Sequence, residues 1–453
     1  MKQGELLEAS LQERFHVKQT RRGPEVRLPP HATRARAVSR ETAPRPVTPS
    51  SRETPLRGRG ATFRLVNFDD HVGRSLSDLE RAGLLRTPRT IGSIQGPVVA
   101  LDGREVILLC SNNYLGLADH PALASAYERC SREWGSSGTA SRLISGTMSP
   151  HRAAESAAAT YVGADAAVLF SSGYAANVGT LQGLLGPDDV VFSDALNHAS
   201  LIDGCRLSRA TVHVYRHADP EHLAELLGAH RRRHRAALVV SDGLFSMDGD
   251  LAPVRALREL CDRFDVGLFV DEAHSIGTLG PQGRGLCAAE GVRADVLVGT
   301  LGKAFALAGA FAAGTAPLAR LLENRARSFV FSTALPPAVA GCVPTAIELV
   351  RDADDRRAQA ARHAARLRAG LRSLGLEVGD GGSAIIPVFL HDDARTMRFS
   401  QRLLELGVFA HGIRPPTVPR GTSRLRVVPM ATHTDAHLDR ALEMFATAAR
   451  EVL

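Results

Sequence analysis

The chain has 453 residues, more than one core usually serves, and its 44% hydrophobic and 5% aromatic content suits an alanine-rich α/β protein of two domains. The net charge of +7 belongs to residues 19–60, with ten Arg and three Glu; the remaining 45 basic and 45 acidic residues cancel, so the fold itself offers no basic face for nucleic acid. No apolar run nears the roughly 20 residues of a membrane span, the N-terminus lacks a signal-peptide core, and six scattered cysteines without a C-x-x-C pair read as reduced thiols in a cytoplasmic protein with no metal site.

In chain order, residues 1–67 form a Pro/Arg-rich segment without periodicity, expected to be disordered. Its plain reading is a solvated linker or a misplaced start; its sharper reading is an electrostatic tether to nucleic acid or an anionic partner, and interspersed acidic residues argue against an organelle transit peptide. Residues 68–118 hold a short helix predicted over 76–86, capped by Ser75 with Asp78 three residues on, and a hairpin turning at Asp102-Gly103. From 119 to 345, apolar runs at 166–170, 189–193, 212–215, 236–241, 266–271, 295–300 and 309–314 alternate with helical patterns such as 152–161, 174–185, 220–232 and 253–264. Near-continuous apolar strands separated by helices mean a mostly parallel sheet covered on both faces. A long helix over roughly 345–374 leads into a small α+β domain, 346–453, with the order βαββα.

Polar motifs fall at the ends of five of these strands: S-S-G-Y, N-H-A-S, F-S-M-D-G-D, D-E-A-H and T-L-G-K. Doubly wound sheets bind ligands there. Beyond residue 18 the chain's only lysine is Lys303, in T-L-G-K. Arginine serves every other need for positive charge, so this position requires a primary amine, the group that forms a Schiff base. Asp271 at a strand end and His274 beside it complete a pattern that points to pyridoxal phosphate. In that reading Lys303 bonds the cofactor aldehyde, Asp271 pairs with the ring nitrogen and His274 contacts the ring hydroxyl. Gly173 and Tyr174 at a helix start offer backbone amides to the phosphate, Thr300 and Ser246 add hydroxyls, and His198 stacks on the ring. Taken singly, each residue has an ordinary structural reading: a cap, a turn, a hydrogen-bonded histidine. D-E-A-H also names a helicase box, but no G-x-x-x-x-G-K-[ST] precedes it. The loose glycine spacing at 277–285 opens no dinucleotide-type strand–helix unit and reads as a loop.

The chain resembles the α-oxoamine synthases, pyridoxal-phosphate enzymes of fold type I. The resemblance rests on S-N-N-Y-L-G-L (111–117), G-T-A-S-R-L-I-S-G-T (138–147), S-S-G-Y-A-A-N (171–177), N-H-A-S-L-I-D-G-C (197–205), F-S-M-D-G-D (245–250), D-E-A-H-S-I-G (271–277), G-T-L-G-K-A-F (299–305), F-S-T-A-L-P-P (331–337) and I-R-P-P-T-V-P-R-G-T-S-R-L-R (413–426), in family order over about 76–450. It implies a homodimer with shared active sites, in which Ser332 and Thr333 reach the phosphate across the interface. It also implies substrate contacts from Arg86, Asn112, His198 and Thr417, and a grip on the amino acid carboxylate by Arg426. The implied reaction joins an amino acid to an acyl-CoA or acyl-carrier protein with loss of thiol and CO2. R-P-P-T-V-P and L-L-R at 84–86 favour alanine with a pimeloyl thioester; glycine with acetyl-CoA and serine with a long acyl-CoA are the alternatives within the family. An aminotransferase or lyase, and a non-catalytic cofactor-binding regulator, are the alternatives outside it. Two departures stand out: Ala306 where the family usually has glycine, and Met148 near the substrate mouth.

Overall fold

The computed structural model of the protein describes residues 67–453, so the N-terminal segment expected over 1–67 lies, apart from Asn67, outside the described residues. The first helix spans Phe68–Arg81 rather than 76–86. Asn67 caps it, accepting the Asp69 N–H at 2.9 Å, and Ser75 instead donates back to the His71 carbonyl within the helix. None of its residues is buried, so Leu76 and Leu79 mark no core-facing stripe in the single chain. The hairpin turns where expected: β1 (Val98–Leu101) pairs with β2 (Arg104–Leu108), and Asp102 and Gly103 both take positive φ, as a two-residue primed turn requires.

The central sheet has seven strands: β3 (Ala166–Phe170), β4 (Val190–Asp194), β5 (Thr211–Tyr215), β6 (Ala237–Asp242), β7 (Gly267–Asp271), β8 (Val296–Thr300) and β9 (Ala310–Gly314). Their order is β3-β9-β8-β7-β6-β4-β5, parallel except for β9, which runs against both neighbours. Each lies within one residue of its predicted bounds at both ends. The apolar runs carry this accuracy because alternate residues enter different cores. Val191, Val240 and Phe269 pack with Leu181 and Leu201 of helices Gly173–Leu184 and Ala199–Ser208 on one face. Val190, Val239, Leu268 and Val270 pack with Leu223 and Leu257 of helices Pro220–His230 and Val254–Phe264 on the other. Each such fully buried side chain stabilises the fold by about 1.5–3 kcal/mol. The fold is α/β with a mostly parallel sheet, as the sequence implied.

The long helix expected over 345–374 is two helices, Pro337–Arg351 and Asp354–Ser373. The break falls at Asp352-Ala353. Arg357 closes it by donating to the Val350 and Arg351 carbonyls at the first helix end, while Asp354 and Asp355 occupy the positive first turn of the second. Beyond it, β10 (Glu377–Val378), β11 (Ile386–His391), β13 (His411–Ile413) and β14 (Ser423–Val427) form an antiparallel sheet in the order β10-β11-β14-β13. Helices Asp393–Glu405 and Asp435–Val452 pack against it. The run V-F-A-H-G-I divides between two sheets, since β12 (Val408–Phe409) pairs in parallel with β2.

Candidate active site

Six strands of the large sheet run one way, and the rim at their carboxyl ends gathers the predicted motifs. Asp271 is the last residue of β7. Its Oδ1 accepts the Ala273 N–H at 2.8 Å and its Oδ2 accepts Asn177 Nδ2 at 2.6 Å. Glu272 turns the other way, toward the start of the short helix Leu286–Ala289, and accepts the Leu286 and Cys287 N–H groups at 2.8 and 2.7 Å. That close approach needs Gly285, where φ is +98° and an added Cβ would lie 2.6 Å from Glu272 Oε2. The second acid of D-E-A-H thus anchors the turn that presents the first acid and His274.

Lys303 follows β8. Its Nζ lies 2.7 Å from His274 Nε2, and His274 Nδ1 lies 2.6 Å from the Tyr114 hydroxyl. Arg426, buried on β14, donates from Nη2 to that hydroxyl at 3.2 Å and to Asn112 Oδ1 at 3.0 Å, and from Nε to the Ser246 carbonyl. One connected group therefore joins Lys303, His274, Asn112, Ser246 and Arg426, with Tyr114 at its centre. Burial pushes the Lys303 amine down to about 8; Asp271 and Asp242 oppose that shift and Arg426 adds to it. Burial, with the charges of Lys303 and Arg426, drives His274 well below the ordinary histidine range, so its ring is neutral at pH 7. Asp242, across from Asp271 in the β6–β7 register, has its carboxyl pushed well up by burial and by the Asp271 charge.

Gly173, Tyr174 and Thr300 form a second group. Helix Gly173–Leu184 starts at Ser172, whose hydroxyl accepts the Ala175 N–H at 3.1 Å. A Cβ on Gly173 would come within 3.6 Å of Thr300 Oγ1 and fill the space between the helix start and that hydroxyl. An open helix N-terminus facing a threonine suits a phosphate. Tyr174 is half exposed and donates its hydroxyl to Asp203 at 2.7 Å. His198 caps the next helix with its ring exposed and its Nδ1 2.7 Å from Ser200 Oγ. A buried amine, a buried carboxylate and a glycine-lined anion cradle at one rim fit pyridoxal phosphate.

The remaining predicted residues stand apart. Arg86 donates to Thr417 Oγ1 at 3.1 Å, and both line a separate cavity of about 590 Å3 with Leu85, Phe409 and Arg414. Ser332 and Thr333 lie in the loop after Phe331, where Thr333 bridges to Ser141; among the described residues neither bonds to the Lys303 group. Three residues escaped sequence reasoning: Tyr114, Asn177 and Asp242. Asn177 had a readable signal, a polar residue amid the apolar positions of a helix that begins at the phosphate cradle. Asp242, ending a strand that is apolar up to Ser241, had much the same signal as Asp271.

The profile of the class I and II aminotransferases matches residues 104–445. The 8-amino-7-oxononanoate synthase of Anaeromyxobacter dehalogenans is 49% identical over 379 residues, covering 83% of this chain and 95% of that protein. Among solved structures, the serine palmitoyltransferase of Sphingomonas wittichii aligns with a TM-score of 0.80 at 34% identity, over 85% of this chain and 98% of its own. The 8-amino-7-oxononanoate synthase of Francisella tularensis aligns with a TM-score of 0.66 at 25% identity, over 76% and 98%. The chain belongs to the class I and II aminotransferase family of pyridoxal-phosphate enzymes and, within it, to the acyl-transferring α-oxoamine synthases.

Proposed function

We propose that the protein condenses L-alanine with a pimeloyl thioester, releasing thiol and CO2, which is the 8-amino-7-oxononanoate synthase reaction of biotin synthesis. The observation that carries this reading is the Lys303 amine, lowered to about 8 beside a neutral His274 and within reach of Arg426, in a chain half identical to enzymes of that name. Pyridoxal phosphate, when bound, supplies the electron sink that makes the amino acid Cα proton removable. The chain's residues then divide the work. Lys303, near half-deprotonated at pH 8, holds the cofactor and takes that proton. With the cofactor bound, Asp271 would pair with the ring nitrogen, His274 would orient the ring hydroxyl and His198 would cover the ring face. Gly173, Tyr174, Ser246 and Thr300 hold the phosphate, and Ser332 and Thr333 serve the phosphate of the opposite subunit in a cytoplasmic homodimer. Arg426 grips the amino acid carboxylate, and Arg86, Asn112 and Thr417 receive the substrate between a large domain, 119–345, and a small one, 346–453.

The higher TM-score of the serine palmitoyltransferase gives a second reading, serine with a long acyl chain. The higher sequence identity favours the first. Thiol release measured over a panel of amino acids and acyl thioesters, on CoA and on carrier protein, separates them. Alanine with a pimeloyl thioester should give the highest kcat/KM; faster turnover of serine with a sixteen-carbon thioester would replace the first reading by the second.

A further inference from the structure

Asp271 and His198 sit on different elements, the end of β7 and the start of helix Ala199–Ser208, yet one hydrogen-bonded chain joins them. Asn177 Nδ2 donates to Asp271 Oδ2 at 2.6 Å and to Ser200 Oγ at 2.8 Å. Ser200 Oγ lies 2.7 Å from His198 Nδ1. Asn177 is 1% exposed and Ser200 is fully buried, so water does not substitute for either contact.

The donors and acceptors along this chain have one consistent arrangement. Asp271 Oδ2 is an acceptor, so the amide must present its nitrogen; the reverse orientation would set oxygen against oxygen at 2.6 Å. Both amide protons are then used, one on Asp271 and one on Ser200. Ser200 Oγ, having accepted from Asn177, donates its own proton to His198 Nδ1. The Ser200 N–H also points at that nitrogen, at 3.3 Å. His198 Nδ1 is therefore an acceptor, and the neutral ring carries its proton on Nε2. The Asn177 Oδ1 is buried and unpartnered among the described residues. A leucine would fill a similar volume with no orphaned oxygen, so packing does not account for an amide here.

We propose that Asn177 and Ser200 are positioning residues that lock the ring-nitrogen partner Asp271 to the ring-face residue His198 and fix His198 as the Nε2–H tautomer. The proposal rests on the pyridoxal-phosphate reading of the rim. Asp271 keeps its carboxylate orientation through the Ala273 N–H on one oxygen and Asn177 on the other. His198 is held from behind, by its own N–H on Asp242 Oδ2 at 2.6 Å and by Ser200 on the ring.

The test uses purified holoenzyme and three variants, Asn177→Ala, Asn177→Asp and Ser200→Ala. Two readouts are taken: the pH midpoint of the bound cofactor's visible absorbance and the rate of cofactor loss into phosphate-free buffer. Asn177→Asp keeps the shape but faces Asp271 with an acceptor, so it should disturb both readouts more than Asn177→Ala, with at least tenfold faster cofactor loss. A space-filling role predicts the opposite order and overturns the proposal. Ser200→Ala leaves only the residue-200 N–H on His198 Nδ1, so the Nε2–H share of the His198 tautomers should fall in long-range imidazole 1H–15N spectra, a result that does not depend on the Asn177→Asp protein folding. An unchanged His198 tautomer there overturns the bridge. If wild-type protein takes up no cofactor, the underlying reading fails instead, which its visible absorbance reveals at the outset.

Discussion

The Lys303 side of the rim and the Arg86 side differ in how far a single chain completes them. Around Lys303 the side chains bond within the same chain: His274, Tyr114, Arg426, Asn112 and the Ser246 carbonyl form one largely buried network, and Asp271 is held on both oxygens. Around Arg86 the side chains are exposed, bond to one another and line an open cavity, and Ser332 and Thr333 touch nothing in the Lys303 group. Chemistry that must act the same way on every turnover is built on buried, mutually satisfied groups, because low dielectric strengthens each contact and fixes its geometry. The exposed residues around Arg86 are the ones proposed to receive the thioester.

The difference predicts a gradient of mutational effects. Lys303→Ala removes the primary amine itself and should lower turnover by roughly 10^3–10^4-fold or more, the upper range for a lost general base. Borohydride reduction followed by peptide mapping should then find no labelled lysine, and label on Lys2 or Lys18 would break the assignment. Asp271→Asn should come next. It removes the carboxylate charge proposed to face the ring nitrogen and sets an amide against Asn177 Nδ2, at a cost of roughly 3–5 kcal/mol in the barrier to proton abstraction. Exchange of the amino acid Cα proton reports this directly; wild-type exchange in that protein would contradict the pairing.

The two arginines sharpen the contrast. Arg426→Ala should lower kcat/KM for the amino acid by about 2–4 kcal/mol. Because Arg426 also holds Tyr114 and Asn112, some of that loss should appear in kcat. Arg86→Ala should raise the thioester KM with little change in kcat, since only Thr417 loses a partner. Steady-state kinetics with each substrate varied in turn separates them, and an amino acid effect from both would merge the two sides of the rim into one.

The same contrast explains what the sequence made legible. The seven central strands read to within one residue because both faces of each are buried, so composition and length had to agree with the fold. Of the residues singled out from the sequence, Lys303, His274 and Arg426 come together in one network and Asp271 lies at the same rim, because polar residues at the ends of apolar strands have few structural reasons. The helix at 68–81 was misplaced because nothing on it is buried, which leaves its leucines no inward face to mark the period. The break at Asp352-Ala353 has no Pro or Gly; only the paired acids at 354–355 betray a new helix start, and Arg357 completes it from three residues inside. Tyr114 and Asn177 were missed because their roles depend on partners distant in sequence, His274 and Asp271, that no spacing reveals.

A pH test probes the buried side alone. The Lys303 amine falls from an ordinary 10.5 to about 8, so the ammonium form dominates below that value and the free amine above it. Capture of the cofactor aldehyde needs the free amine. Stopped-flow reconstitution of apoprotein should therefore speed up by about tenfold per pH unit below 8 and level off above it. A rate still climbing steeply between pH 9 and 10 would mean that burial does not lower this amine.

The smallest expected effect concerns the turn that carries Lys303. Ala306 sits at φ +54°, with its N–H donating to the Lys303 carbonyl at 2.9 Å. That left-handed conformation is unfavourable for any residue with a Cβ, and glycine adopts it freely. Its half-buried methyl packs on the core beneath the turn, which opposes part of the gain. Ala306→Gly should still stabilise the protein, by about 0.5–1 kcal/mol. Urea unfolding of the holoenzyme should show a higher midpoint at an unchanged slope. A lower midpoint would mean that the methyl contact outweighs the backbone strain, and that the turn under Lys303 is held by packing as firmly as the network above it is held by hydrogen bonds.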